Sequence, residues 1–226
     1  MKKMVTGLMW QCPQGLIEQA LTQSPIHSEV VVLNKHDGNF FYGTWSIKDE
    51  FKDTLWKQVL DTLPYSIGEA RIITLAPGES YQSHADIDNR WHLNLTGDQS
   101  FLIDLENQEM FKCTRNDHWY FMRTGRRHTA CNFGSVPRLQ LVVREPLRET
   151  RQSINLISVS ITQAVPAPDN HFKFDNIFSP WLNKINEQYK MTDFSPSPAL
   201  VTFKMEAELK EELESIRTSD FIITYD

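Results

Sequence analysis

Between Ile67 and Arg144 apolar and polar residues alternate with a period of two, and turn residues break the alternation about every ten positions. Successive residues of a strand point to opposite faces, so the pattern predicts eight short strands near 69–76, 79–86, 90–96, 100–105, 108–113, 118–122, 127–133 and 138–144. The breaks fall at Ala76-Pro77-Gly78, Asp88-Asn89, Gly97-Asp98, Glu106-Asn107, Arg115-Asn116-Asp117, Thr124-Gly125-Arg126 and Gly134-Ser135-Val136-Pro137. These residues favour turns through permissive or fixed backbone angles and local side-chain hydrogen bonds. Eight strands at this spacing suggest a double-stranded β-helix, the cupin-like jelly roll. An immunoglobulin-like sandwich is the alternative.

Either side of this stretch the period changes. Helical spacing appears over 15–21 and over 51–63, the latter through Phe51, Leu55, Val59 and Leu63 before Pro64 stops it, and Val30-Val31-Val32-Leu33 reads as a buried strand. Residues 1–66 are therefore expected to form an α/β segment packing on a barrel of residues 67–148. Beyond it, a strand over 154–161 and the proline-rich Val165-Pro166-Ala167-Pro168 precede two predicted helices. The first, 174–189, carries the stripe Phe178, Trp181, Ile185 and Tyr189; the second, 205–216, carries Glu and Lys at i,i+4 spacing. The expectation for 149–226 is a helical cap or lid over the barrel, giving a mainly β protein with flanking helices.

Composition narrows the classes. The chain has 226 residues, a formal charge of −6, 40% hydrophobic and 11% aromatic residues, enough for a substantial core. Its basic residues form no long run, so nucleic acid is not an expected partner. No stretch approaches the roughly 20 apolar residues that span a bilayer, and the first residues lead into no apolar run with a cleavage site, so no membrane partner and a cytoplasmic location are expected. Cys12, Cys113 and Cys131 are odd in number and widely spaced, which suits reduced core thiols.

Candidate chemistry centres on His84-Ala85-Asp86 and His128. Two residues apart on a strand, His84 and Asp86 share a face, and the double winding of a jelly roll lays the second and seventh strands, which would carry His84 and His128, side by side. Two imidazoles and a carboxylate on one side of an ion leave the opposite positions open, as non-haem Fe(II) oxygenases require. The tripeptide alone is a weak signal. Arg138, ten residues after His128, adds a planar fork suited to a carboxylate. Arg90, His92 and Asn94 form a second polar stripe, alternating with Trp91, Leu93 and Leu95.

Together Ala76-Pro77-Gly78-Glu79, His84-Ala85-Asp86, Arg90-Trp91-His92-Leu93-Asn94-Leu95, Trp119, Gly125, His128, Asn132 and Arg138 resemble the aspartyl/asparaginyl β-hydroxylase family of 2-oxoglutarate-dependent oxygenases. The similarity covers residues 69–144 and is greatest to members that keep an Asp ligand, such as bacterial proline hydroxylases. It implies that His84, Asp86 and His128 hold Fe(II), that Arg138 grips the distal carboxylate of the cosubstrate 2-oxoglutarate, and that Arg90 and His92 make further cosubstrate contacts. Ascorbate would be a possible stimulant, and the implied substrate is an amino acid, peptide or similar small molecule, hydroxylated with release of succinate and CO₂. Two departures matter. Asp86 separates the chain from the animal enzymes, which have Gly there, and Ile73 stands where those enzymes use a hydroxyl, so Arg138 would need help from Thr74 or Gln140. Trp91, Tyr81, Arg71 and the cluster Arg123, Arg126 and Arg127 are candidates for the mouth, where such arginines would suit an acidic or carboxylate-bearing substrate such as an amino acid, although the cluster reads first as solvated turn residues. Two other classes remain: a cupin-type metalloenzyme without 2-oxoglutarate, which would not need Arg138, and a non-catalytic jelly-roll binding module, which would not need the triad.

Overall fold

Seven of the eight predicted barrel strands form, and they wind in the order a jelly roll demands. The structure is a computed structural model that describes residues 3–148, 155–164, 170–197 and 199–226. Its larger sheet contains β1 (Val5–Gln11), β2 (Val30–Val32), β5 (Ala70–Leu75), β6 (Arg90–Asn94), β9 (His118–Met122) and β11 (Arg138–Arg144), in the order β1-β9-β6-β11-β5-β2. The smaller sheet contains β7 (Ser100–Asp104), β8 (Glu109–Lys112) and β10 (His128–Asn132), in the order β10-β7-β8. Each neighbouring pair is antiparallel. Counted along the chain, the first, third, sixth and eighth predicted strands share one sheet, and the fourth, fifth and seventh share the other. That interleaving is the double winding of a jelly roll.

The second predicted strand, 79–86, is a correction. It is no regular strand but extended chain that meets β10 at two isolated pairs, Ser80 with Cys131 and His84 with His128. The N-terminal segment also differs from expectation. It adds an unanticipated strand, β1, and a hairpin of β3 (Asn34–Asp37) and β4 (Thr44–Ile47), and it supplies both edge strands of the larger sheet rather than only packing on it. The two predicted helices appear as α1 (Leu16–Gln23) and α2 (Leu55–Leu60).

The larger core of the barrel region packs on the outer face of its larger sheet, and a smaller cluster that includes Leu102, Met122 and Ala130 lies on the cavity side. Ala70 and Ile72 of β5, Trp91 and Leu93 of β6, and Leu141 and Val143 of β11 face outward and pack with Ile17, Ala20, Trp56 and Val59 of the two helices. Trp91, expected at the mouth, is instead 4% exposed in this core and stacks on Tyr65. Period two then turns Arg71, Arg90, His92, Asn94, Arg138 and Gln140 to the inner face. Shifting any of these strands by one residue would exchange the two sets, so burying the outer face fixes the register that presents the polar one. Cys12, Cys113 and Cys131 are buried and free, as expected.

The C-terminal segment is not a helical cap. Its described residues form a four-stranded antiparallel sheet, ordered β13-β14-β12-β15, from β12 (Leu156–Gln163), β13 (Met191–Pro196), β14 (Leu200–Glu206) and β15 (Phe221–Tyr225). Three helices accompany it, α3 (Asn170–Ile177), α4 (Ser179–Glu187) and α5 (Lys210–Ser215). The predicted helix 174–189 is thus the end of α3 plus α4, while the predicted helix 205–216 begins as strand and becomes helical only after a 3₁₀ turn at Ala207–Leu209. The predicted strand 154–161 is β12, and the proline-rich stretch lies outside the described residues.

Phe178, Trp181, Leu182 and Ile185 pack against Val159, Phe203, Met205 and Phe221, and this second core takes in Ile87 and Leu147 from the barrel. Polar contacts tie α4 down: Asn183 Nδ2 donates to the Ile87 carbonyl (3.0 Å) and the Asn89 side chain (3.2 Å), and Asn89 donates to Glu187 (3.0 Å). Among the described residues no helix is long and apolar enough to cross a membrane.

Candidate metal centre

His84 and His128 form a reciprocal backbone pair. The His84 amide donates to the His128 carbonyl at 3.0 Å and the His128 amide donates to the His84 carbonyl at 2.8 Å. A directly opposed pair puts both side chains on one face, and the rings meet with centroids 4.5 Å apart. Asp86 joins them from two residues along, its Oδ2 lying 3.6 Å from each Nε2. One ligand atom from each of the three residues lies within 4.8 Å of the others. The three residues singled out in the sequence therefore come together in space.

The surroundings prepare these atoms for a cation. His84 Nδ1 donates to the Gln82 carbonyl (2.9 Å) and His128 Nδ1 to the Arg126 carbonyl (2.7 Å). A carbonyl can only accept, so each Nδ1 carries the proton and each neutral ring offers its Nε2 lone pair to the cluster. Asp86 Oδ1 is held by Arg90 Nη2 at 2.7 Å, whereas its buried Oδ2 has no hydrogen bond. A buried carboxylate oxygen without a donor, facing two imidazole lone pairs, fits a divalent ion with mixed N/O preference.

Charge and burial shape the titration of the group. Burial opposes ionisation of Asp86, but Arg90 and the two imidazoles outweigh it and hold the carboxyl well below the usual carboxylate range. Burial pushes His128 down to about 4, partly offset by the Asp86 charge, while the Asp86 carboxylate beside it raises His84.

Two cavities meet at this cluster. The inner one, about 260 Å³, lies inside the barrel, with His84, Asp86 and His128 at one end and Arg138, Gln140 and Tyr81 also in its wall. Arg138 is 4% exposed, and its one hydrogen bond among the described residues goes to the neutral Gln140 side chain, whose Nε2 donates to Asn94 Oδ1 at 2.6 Å. No carboxylate neutralises it there. The larger cavity, about 610 Å³, opens between the barrel mouth and the C-terminal sheet and shares His84, Asp86, Arg71 and Arg90 with the inner one.

The remaining predicted positions divide. His92 lines the inner cavity, neither ring nitrogen makes a hydrogen bond, and burial pushes it down to about 3. Arg90 lines both cavities, but its guanidinium is engaged by Asp86 at 2.7 Å and approached by Asp88 at 3.6 Å. Of the two proposed helpers of Arg138, Gln140 touches it, while Thr74 donates to the Ser28 carbonyl. Tyr81 sits deeper than the mouth, with a buried hydroxyl that makes no hydrogen bond. Arg126 pairs with Asp104 at 3.2 Å, Arg127 reaches Ser83, Arg123 stands over the Phe121 ring, and none of the three lines either cavity.

Trp119, Gly125 and Asn132 are structural. The Trp119 indole donates to Thr62 Oγ1 (2.8 Å), and Asn132 Nδ2 ties the Leu75 and Val136 carbonyls (3.0 and 2.9 Å). Sequence reasoning passed over Asp88 and Arg144, which pair at 2.7 Å beside Arg90. The stripe His84, Asp86, Asp88, Arg90 was the available signal, since it keeps period two across the predicted turn.

No family model and no curated protein matches the chain. Among solved structures, it is similar to QdtA, a sugar 3,4-ketoisomerase from Thermoanaerobacterium thermosaccharolyticum in complex with TDP, at 12% identity and a TM-score of 0.30 over 53% of this chain and 83% of that one.

Proposed function

We infer that this protein is an Fe(II)- and 2-oxoglutarate-dependent hydroxylase. The observation that carries the reading is Arg138, a guanidinium buried without a counter-ion in the same cavity as the His84/Asp86/His128 cluster. A buried unpaired charge is costly, and a dicarboxylate spanning the cavity would relieve it at one end while reaching the metal at the other. Fe(II) bound there would supply the oxygen chemistry, in which R–H, O₂ and 2-oxoglutarate give R–OH, succinate and CO₂.

The chain's own residues do the positioning. Gln140, braced by Asn94, holds the Arg138 fork toward the cavity. The Tyr81 hydroxyl stands ready to donate to the same carboxylate, supplying what Ile73 lacks. His92, kept neutral by burial, can donate to the cosubstrate without adding charge. Arg90 orients Asp86, and the Gln82 and Arg126 carbonyls orient the imidazoles.

Purified protein with Fe(II), ascorbate and 2-oxoglutarate should form succinate, and a panel of free amino acids and peptides should raise the rate for the right substrate. Asp86→Ala should lose metal affinity, while Arg138→Ala should weaken 2-oxoglutarate binding and spare the metal. An Arg138→Ala variant with unchanged cosubstrate affinity would sink the 2-oxoglutarate assignment in favour of a cupin-type metalloenzyme.

A further inference from the structure

The larger cavity has a divided wall. Its barrel side is charged, with Arg71, Arg90 and Arg144 beside the metal cluster. Its C-terminal side carries an apolar patch of Ile161, Phe194, Leu200 and Phe221, with Phe41 closing one flank and Gln163, Asp175, Ser179 and Ser197 as the polar members of that wall. The aromatic groups are held by one another: Phe41 meets Phe194 edge-on at 4.9 Å, and Phe221 meets Phe178 edge-on at 5.2 Å. Phe194 and Phe221 are only 3% and 2% exposed, so their orientation is set by packing rather than by solvent.

Among the three arginines, Arg71 is the least neutralised. Asp86 and Asp88 hold Arg90 and Arg144 at 2.7 Å each. Arg71 has one carboxylate partner, Glu69 at 3.4 Å, and Arg144 approaches the same Glu69 oxygen at 3.5 Å. Burial and the neighbouring guanidiniums of Arg90 and Arg144 press on its charge, and Glu69 and Asp86 only partly relieve it. A cavity of this size accommodates a small organic molecule.

We propose that the larger cavity binds a small carboxylic acid with a bulky alkyl or aryl body, its carboxylate on Arg71 and its body against Phe41, Ile161, Phe194 and Phe221. The C-terminal sheet is then the specificity element, selecting by apolar shape, while the barrel supplies the anion anchor. Because Arg71 lines both cavities together with His84 and Asp86, an acid anchored there presents carbons near its carboxylate to the metal cluster. This rests on the hydroxylase reading for its chemistry but not for its binding.

The test is calorimetric titration of the whole protein loaded with Mn(II) and, in a first step, with 2-oxoglutarate. Phenylbutyrate and octanoate are then titrated, beside phenylbutyramide and phenylbutylamine. At least one acid should bind, with the amide and amine roughly tenfold weaker or worse, the size expected for losing a charged hydrogen bond. Arg71→Gln should weaken the acid by a similar factor and leave the amide unchanged, Arg71→Lys should recover part of the loss, and Phe221→Ala should weaken acid and amide alike.

Equal or tighter binding of the amine, which Asp88 and Asp175 in the same wall would favour, overturns the proposal. So does failure of both acids, or an Arg71→Gln effect on 2-oxoglutarate in place of the acid. If Arg71→Gln does not fold, the comparison of acid, amide and amine on the unaltered protein decides alone. Acid binding without 2-oxoglutarate binding would fell the hydroxylase reading and keep this one; the reverse would fell this one alone.

Discussion

Arg90 illustrates how one residue can match a family motif and take another role. The resemblance implies a contact to the cosubstrate, yet in the structure its Nη2 grips Asp86 Oδ1 at 2.7 Å, leaving Oδ2 aimed between the two imidazoles. Groups that orient a metal ligand typically tune affinity by about 10–100-fold. Arg90→Gln should therefore weaken metal binding by roughly that factor, while 2-oxoglutarate affinity at saturating metal changes much less. Competition with a metal-sensitive dye separates the two, and a larger loss for 2-oxoglutarate than for metal would return Arg90 to the cosubstrate. His92 carries the pH argument. Its folded value is pushed from 6.5 down to about 3 by burial, so between these limits the unfolded chain binds a proton that the folded chain lacks. Stability is then full above the unfolded value and falls as the pH drops through this window, by up to about 1.4 kcal/mol per pH unit for one proton. His128, pushed down to about 4, acts in the same direction. In metal-free protein, urea unfolding at about pH 5 and about pH 7 should show a smaller stability difference for His92→Gln than for the parent chain. An unchanged difference would mean that His92 is not the excluded proton site.

At the scale of elements, the barrel and α4 meet closely at Gly125 and Asn183. A Cβ built on Gly125 would lie 2.6 Å from Asn183 Cγ, inside any real contact, and Asn183 is the residue that bonds Ile87 and Asn89. Gly125→Ala must push α4 off the barrel or break those bonds, and overpacking of this kind costs about 1–3 kcal/mol. Chemical denaturation should show that loss, together with faster proteolysis at the junction of barrel and C-terminal sheet; a variant as stable and resistant as the parent would mean that α4 yields freely. Elements also show where the sequence could be read. Strand signals in the barrel survived because both faces of the larger sheet are occupied, and turn residues marked nearly every end. The C-terminal sheet was harder. Val201, Phe203 and Met205 alternate as β14 requires, but Met205 also begins an i,i+4 series with Leu209 and Leu213, so one residue belongs to two periods. Strand β1 is an edge strand, paired on one side with β9 and interrupted by Gly7 and an irregular register, which leaves little alternation to detect.

For the molecule as a whole, the meeting of His84, Asp86 and His128, and their sharing a cavity with Arg138, were legible because these residues lie on barrel segments whose neighbours follow from the winding. His84, Asp86, His128 and Arg138 needed only that topology to meet. The larger cavity was not legible, because its apolar wall comes from Phe41, Ile161, Phe194 and Phe221, spread over most of the chain and joined only by tertiary packing. His84 and Asp86, with Arg71 and Arg90, stand on the boundary that the two cavities share. At that boundary chain 79–86 is joined to β10 not by a continuous ladder but by two isolated pairs, Ser80 with Cys131 and His84 with His128, and by the bonds from Tyr81 N to the Ala130 carbonyl and from Asn132 N to the Glu79 carbonyl. An ion binding both imidazoles would add a rivet to that seam, so occupancy should be written into the backbone. The His84 and His128 amides should exchange with deuterium much more slowly when metal is present, while amides at the β11–β5 junction stay as they were. Equal protection with and without metal would show that the rim is rigid by itself. A rivet of that kind makes the barrel's rim a sensor of its own metal, readable without any turnover.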